Sequence, residues 1–126
     1  MVSFPDFPEA LTFGHSEADA AHEAVDCLRE ALRGRILDSE DIPPPSKNVP
    51  GAHMIAPPAE IVAKAAIYNA FRHGGITRVA LAGKLNVDES EVRRILDPMH
   101  RTKLDRLEQA AKALGGRLEI TFVPIP

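Results

Sequence analysis

The sequence predicts an α+β protein: a small strand–strand–helix unit followed by an all-helical domain that closes on a short C-terminal strand. Three observations predict it. Short alternating apolar stretches crowd the first thirteen residues, prolines interrupt the chain near its middle, and helical periodicity fills most of the second half. The chain has 126 residues, 44% of them hydrophobic and 26% charged. That composition supports one ordinary domain or two very small ones and excludes wholesale disorder, collagen and a coiled-coil rod.

The first unit spans residues 1–46. Val2-Ser3-Phe4 alternates apolar and polar, and Pro5-Asp6-Phe7-Pro8 punctuates it. Ala10-Leu11-Thr12-Phe13 is a second short strand, closed by Gly14. Ser16 is a good helix N-cap with Asp19 three residues on, and Ala21, Val25, Leu28 and Leu32 then recur at helical spacing. Gly34 is the expected stop, with Arg33 suited to the helix carboxyl end. Two strands and one helix bury little by themselves.

Residues 47–58 read as a stiff proline-rich linker holding one short strand at His53-Met54-Ile55-Ala56. The second domain, 59–126, opens with a helix over 59–71 whose apolar positions include Ile61, Ala65 and Tyr68, ended by Gly74-Gly75. Thr77 caps a helix from Arg78 to Leu85, Asn86-Val87 turns, and Asp88 caps a helix to about Leu96. Lys103 to Leu114 is the next, with Leu104, Leu107, Ala111 and Leu114 on one face. Leu118, Ile120 and Phe122 alternate as a last strand, expected to pair between two copies of the chain.

The segment from Arg78 to Ile95 fits a helix-turn-helix. Ala82 is small where two helices must cross, Asn86 tolerates a positive φ at the turn, Leu85 and Val87 fill the angle, and Val92 and Ile95 seat the second helix. In such a pair the exposed early residues of the second helix meet base edges in the major groove. The candidate DNA contacts are Thr77, Arg78, Lys84, Glu89, Ser90, Arg93, Arg94, Arg101 and Lys103. Arg93 or Arg94 suits a guanine or a phosphate, and Lys84, Arg101 and Lys103 suit phosphates. Asp88-Glu89-Ser90-Glu91 is an acidic start for such a helix, eased if Asp88 and Glu91 are capping-box partners. The bland alternative is a helix pair used only for packing.

Charge divides as the elements do. Residues 1–46 hold ten acids against three arginines, a net of −7, and residues 47–126 hold twelve lysines and arginines against eight acids, a net of +4. An acidic half suits a basic protein, and a basic half suits nucleic acid. Aromatics are scarce at 5%, without tryptophan, so stacking platforms for bases are not expected. The single cysteine, Cys27, cannot make an internal disulfide, and no leader or membrane-length apolar run is visible, so the expected location is the cytoplasm, with no membrane partner. His22-Glu23-Ala24-Val25-Asp26 is one histidine short of a zinc helix motif. No metal, cofactor or catalytic residue is expected.

The stretches Val2-Ser3-Phe4-Pro5-Asp6-Phe7-Pro8-Glu9-Ala10, Thr12-Phe13-Gly14, Glu17-Ala18-Asp19-Ala20 and Glu40-Asp41-Ile42-Pro43-Pro44-Pro45-Ser46 resemble the HicB antitoxin family. With its helix-turn-helix second half, the chain is similar to the subgroup with a DNA-binding C-terminus. The resemblance implies a partial ribonuclease-H-like N-terminal domain that binds and blocks a HicA-type toxin, a small basic messenger-RNA-cleaving protein. It also implies a C-terminal domain that binds operator DNA as a homodimer or higher oligomer and represses its operon. The toxin contacts it implies are Phe4, Asp6, Phe7, Glu9, Glu23, Asp26 and Glu30. The family pattern has a further strand before Val2, so the expectation is a late start or a domain truncated at its amino end. Two other readings stay open: a free-standing repressor without a toxin, and a metal-dependent ribonuclease built on Asp6, Glu9 and Asp19. Enzymatic activity is not expected, since a fold shared with nucleases is not itself nuclease chemistry.

Overall fold

The computed structural model describes residues 2–4, 7–12, 17–42, 58–122 and 124, with side chains from Glu23 onward. Its elements are β1 (Val2–Phe4), β2 (Phe7–Thr12), α1 (Glu17–Leu37), α2 (Ala59–His73), α3 (Arg78–Leu85), α4 (Glu89–Leu96) and α5 (Leu104–Ala113). β1 and β2 pair antiparallel, Val2 with Thr12 and Ser3 with Leu11, and the register shifts before Phe4 meets Phe7. β2 begins three residues ahead of the expected Ala10 and runs through Pro8, which an edge of a two-stranded ladder tolerates.

The α+β expectation, with its ribonuclease-H-like domain and closing strand, is corrected by this arrangement. From residue 23 to residue 122 no described residue lies in a strand, and five helices supply the body of the molecule. The hydrophobic core is one cluster running from Leu28, Ala31 and Leu32 of α1 through Ile61, Ile67 and Tyr68 of α2 to Leu81, Val92, Ile95 and Leu107. Every one of these side chains is on a helix. A two-residue period signals a strand only where a partner strand is at hand. Leu118 to Phe122 has none among the described residues; Leu118 packs on the core while Ile120 and Phe122 are 67% and 88% exposed.

Helix ends decide the remaining differences. α1 runs through Gly34 and stops at Ser39, whose φ of 55° is left-handed. The Ser39 amide donates to the Ile36 carbonyl (3.1 Å) and the Glu40 amide to that of Arg35 (2.8 Å), the paired bonds that satisfy a helix carboxyl end. A Cβ at Gly34 would meet nothing, so this glycine is an ordinary helical residue there. On α5 the buried face is Leu107, Ala110 and Ala111, while Leu104 is exposed, contrary to expectation.

After α1 the chain lies along α2. Asn69 grips Ile42 by both peptide groups, accepting its amide at 3.1 Å and donating to its carbonyl at 2.9 Å. The Tyr68 hydroxyl donates to the Glu40 carbonyl at 3.0 Å. Arg72 and His73 both reach the Asp41 carboxylate, at 3.2 and 3.0 Å. The Ser16 cap, most of the 47–58 linker and the strand expected at 53–56 lie outside the described residues.

Candidate nucleic-acid interface

α3 and α4 are built by local chemistry. The Thr77 hydroxyl accepts the Ala80 amide at 3.1 Å and starts α3. Asn86 ends it in the left-handed region, φ 56° and ψ 46°, and the Val87 amide returns to the Ala82 carbonyl at 3.0 Å. Asparagine is among the few side chains that take this conformation readily. Asp88 starts α4, accepting the Glu91 amide at 3.3 Å and the Ser90 hydroxyl at 2.9 Å. Those two bonds, the hydroxyl above all, hold its carboxyl below the usual carboxylate value. Leu81 and Ala82 from α3 and Val92, Ile95 and Leu96 from α4 are buried, so the pair is seated on the core and keeps one face outward.

That outward face carries the arginines. Side chains of Arg93 and Arg94 are 68% and 50% exposed, and each is paired within its own helix: Arg93 to Glu89 at 3.1 Å and Arg94 to Glu91 at 3.2 Å. Exposed pairs of this kind are worth little in water and are readily exchanged for another anion. Glu91, expected to complete a capping box, also lies 3.7 Å from Arg106 of α5. The acidic start of the helix is thus largely spent on structure: Asp88 caps, and Glu89 and Glu91 hold arginines.

Beyond α4, Arg101 and Lys103 line a cleft of about 420 Å³ together with Glu91, His100, Thr102 and Arg106. This brings two of the expected phosphate contacts beside the carboxyl end of α4. Thr77 and Arg78 sit instead at the start of α3, where the Arg78 guanidinium lies 5.9 Å from the centre of the Phe71 ring. The Lys84 ammonium lies 3.5 Å from the Ala113 carbonyl at the end of α5.

On the acidic side, Glu23, Asp26 and Glu30 fall on one exposed stripe of α1, opposite the buried Ala24, Leu28 and Ala31. Phe4, Phe7 and Glu9 belong to β1 and β2 by their backbones, and Asp6 lies outside the described residues.

The sequence reading missed Lys64. It is 1% exposed, inside α2, and its ammonium donates to the carbonyls of Arg94 (2.9 Å), Asp97 (2.8 Å) and His100. Burial pushes it down to about 8. The signal was in the sequence: a lysine three residues after Ile61 and four before Tyr68 stands on the buried stripe. Arg29 of α1 joins it, donating to the Pro98 carbonyl at 2.9 Å and lying 3.9 Å from Glu60.

A family model described as a HicB-like antitoxin of bacterial toxin–antitoxin systems matches residues 1–66. The chain belongs to the HicB antitoxin family. It is 39% identical to Antitoxin HicB of Escherichia coli K12 over 123 residues, covering 98% of this chain and 89% of that one. It is 37% identical to Antitoxin HicB 1 of Photorhabdus laumondii over 122 residues (97% and 77%) and 27% identical to Antitoxin HicB of Pseudomonas fluorescens Pf0-1 over 118 residues (93% and 81%). HicB antitoxins act within a toxin–antitoxin system, so the family implies a toxin as partner. Among the described residues no helix is long and apolar enough to cross a membrane.

Proposed function

We propose that this HicB-family antitoxin works through two binding surfaces and no covalent chemistry. The N-terminal region takes a small basic HicA-type messenger-RNA-cleaving toxin, using the exposed stripe Glu23, Asp26 and Glu30 with Phe4, Asp6, Phe7 and Glu9. The α3–α4 pair acts as a helix-turn-helix on operator DNA and represses the operon that encodes both proteins. Arg93, Arg94, Glu89 and Ser90 face the bases, and Arg101 and Lys103 take phosphates in the adjoining cleft. Palindromic operators call for a two-fold dimer.

The observation that carries the DNA reading is the seating of α4. Its apolar side is fully buried while two arginines held by surface ion pairs stand outward. Replacing both, Arg93→Ala with Arg94→Ala, is expected to abolish binding to a duplex from the promoter of its own operon while leaving capture of the toxin intact. Electrophoretic mobility shift and co-purification read the two activities separately. Undiminished DNA binding by the double variant excludes α4 as the reading helix.

A further inference from the structure

α4 is a helix of eight residues, and its carboxyl end is where the chain turns toward the cleft that holds Arg101 and Lys103. One carbonyl of that helix end, that of Arg94, and three of the turn after it are gathered from outside, in addition to the Asp97 and His100 amides that the Arg94 and Asp97 carbonyls already accept. The Lys64 ammonium accounts for the carbonyls of Arg94, Asp97 and His100, and the Arg29 guanidinium for that of Pro98. The two cations come from α2 and α1, and they meet four carbonyls within seven residues of chain.

We infer that Lys64 is a positioning residue for DNA binding. By gathering the carbonyls of Arg94, Asp97 and His100 on one buried ammonium, it fixes the pose in which α4 presents Arg93 and Arg94 and delivers the chain to Arg101 and Lys103. This rests on the reading of α3–α4 as the DNA-binding pair. A lysine is suited to the task because three N–H donors on one nitrogen match three acceptors. The ammonium is needed for that count: the neutral amine has two N–H groups and turns a lone pair toward the third carbonyl.

The charged groups facing Lys64 are Glu60 on its own helix, Glu91 on α4 and Asp97 just after it, which favour the ammonium, and Arg29 on α1, which opposes it. Burial outweighs them and brings the group down to about 8. Phosphates of a bound duplex add negative potential and favour the charged form. The complex therefore keeps the Lys64 proton to higher pH than the free protein, and affinity falls as pH climbs past 8. Ordinary thiol and amino-terminal values fall in the same window, so the comparison of the wild type with Lys64→Met is what assigns the fall to this ammonium.

The test uses the full chain and a fluorescent duplex carrying the promoter region of its own gene, titrated between about pH 7 and pH 9.5, a span set by the ordinary histidine and lysine values. The wild type is expected to lose affinity several-fold across the upper half of that range. Lys64→Met keeps the length and apolar character of the side chain without the charge. Folded by circular dichroism, it is expected to bind about tenfold more weakly at neutral pH, equivalent to about 1.4 kcal/mol, and to lack the alkaline fall. A folded Lys64→Met with wild-type affinity, or a wild type whose affinity is flat with pH, overturns the inference while leaving the DNA reading in place. If the variant does not fold, the wild-type profile decides together with the backbone amide resonances of residues 94–101. Their titration in step with the loss of affinity supports the inference, and their constancy overturns it. Failure of the wild type to bind at any pH overturns the DNA reading and this inference with it.

Discussion

The two ends of α4 are held in opposite ways. At the amino end Asp88 and Ser90 do the work, exposed residues that act within three positions of each other. At the carboxyl end a buried lysine reaches across from α2, 30 to 36 residues away in sequence. A local cap forms wherever its few residues are helical, so it starts a helix without placing it. A distant cap forms only when two elements are already packed, so it reports and enforces their relative pose. For a helix whose task is to enter a groove at one angle, the second kind of restraint is the more consequential.

The largest effect is expected from removing what both ends share. Ile95 is fully buried between them, and Ile95→Ala is expected to cost ~2–5 kcal/mol in a denaturant titration. A loss confined to well below that range would show that α4 is held by its ends more than by its seat.

Next comes the distant end alone, read by pH. The folded-state value of Lys64 lies below the ordinary lysine value, so between about pH 8 and 10.5 the unfolded chain holds a proton that the folded chain has released. Stability is therefore expected to rise with pH across that window on account of this group, by at most ~3.4 kcal/mol. Lys64→Met is expected to flatten the rise in thermal melts. The sign is opposite to that expected for DNA affinity over the same window, so the two measurements together separate the cost of burying the charge from its use.

The smallest effect belongs to the local end. Asp88→Ala is expected to lower the melting temperature modestly, while the Lys64-dependent rise above pH 8 persists unchanged. For the wild type, the depressed Asp88 carboxyl contributes stability above the ordinary aspartate range and loses it as pH falls through its lower folded value.

Legibility in the sequence divides along the same line. Thr77, Asn86 and Asp88 each act through bonds spanning three to five residues, and all three stand where the spacing placed them. The spacing puts Lys64 on the buried stripe of α2, but not what it bonds there, since its partners are peptide carbonyls, which carry no residue-type signature. Gly34 misled in the other direction. A glycine is a common helix stop, yet Ser39 takes the left-handed turn instead and the helix carries on past the glycine to Leu37. The closing strand follows from an alternation of residue types, yet Leu118 packs on the core while Ile120 and Phe122, which would share its face in a strand, are exposed, and a strand also requires a neighbour. The same rule governs the fold class. Periodicity in β1 and β2 marks two short strands, and only the count of paired strands tells whether a sheet or a set of helices builds the core. Of the candidate site, the arginines of α4 and the basic cleft residues were legible as charges, whereas their grouping beside one helix end was not.

The clasp between α2 and the chain after α1 has a consequence for how such a protein tolerates change. Asn69 holds Ile42 by its amide and carbonyl, and Tyr68 holds Glu40 by its carbonyl, so these grips touch nothing that distinguishes one amino acid from another. As far as these grips are concerned, side chains along that stretch are free to drift over generations provided the backbone keeps its shape. Proline is the exception: at position 42 it would delete the amide that Asn69 accepts. The part of the tie made by residues 68 and 69 is therefore indifferent to the side chains it secures, whereas the Asp41 carboxylate on Arg72 and His73 and the buried Ile42 side chain are the parts that constrain them.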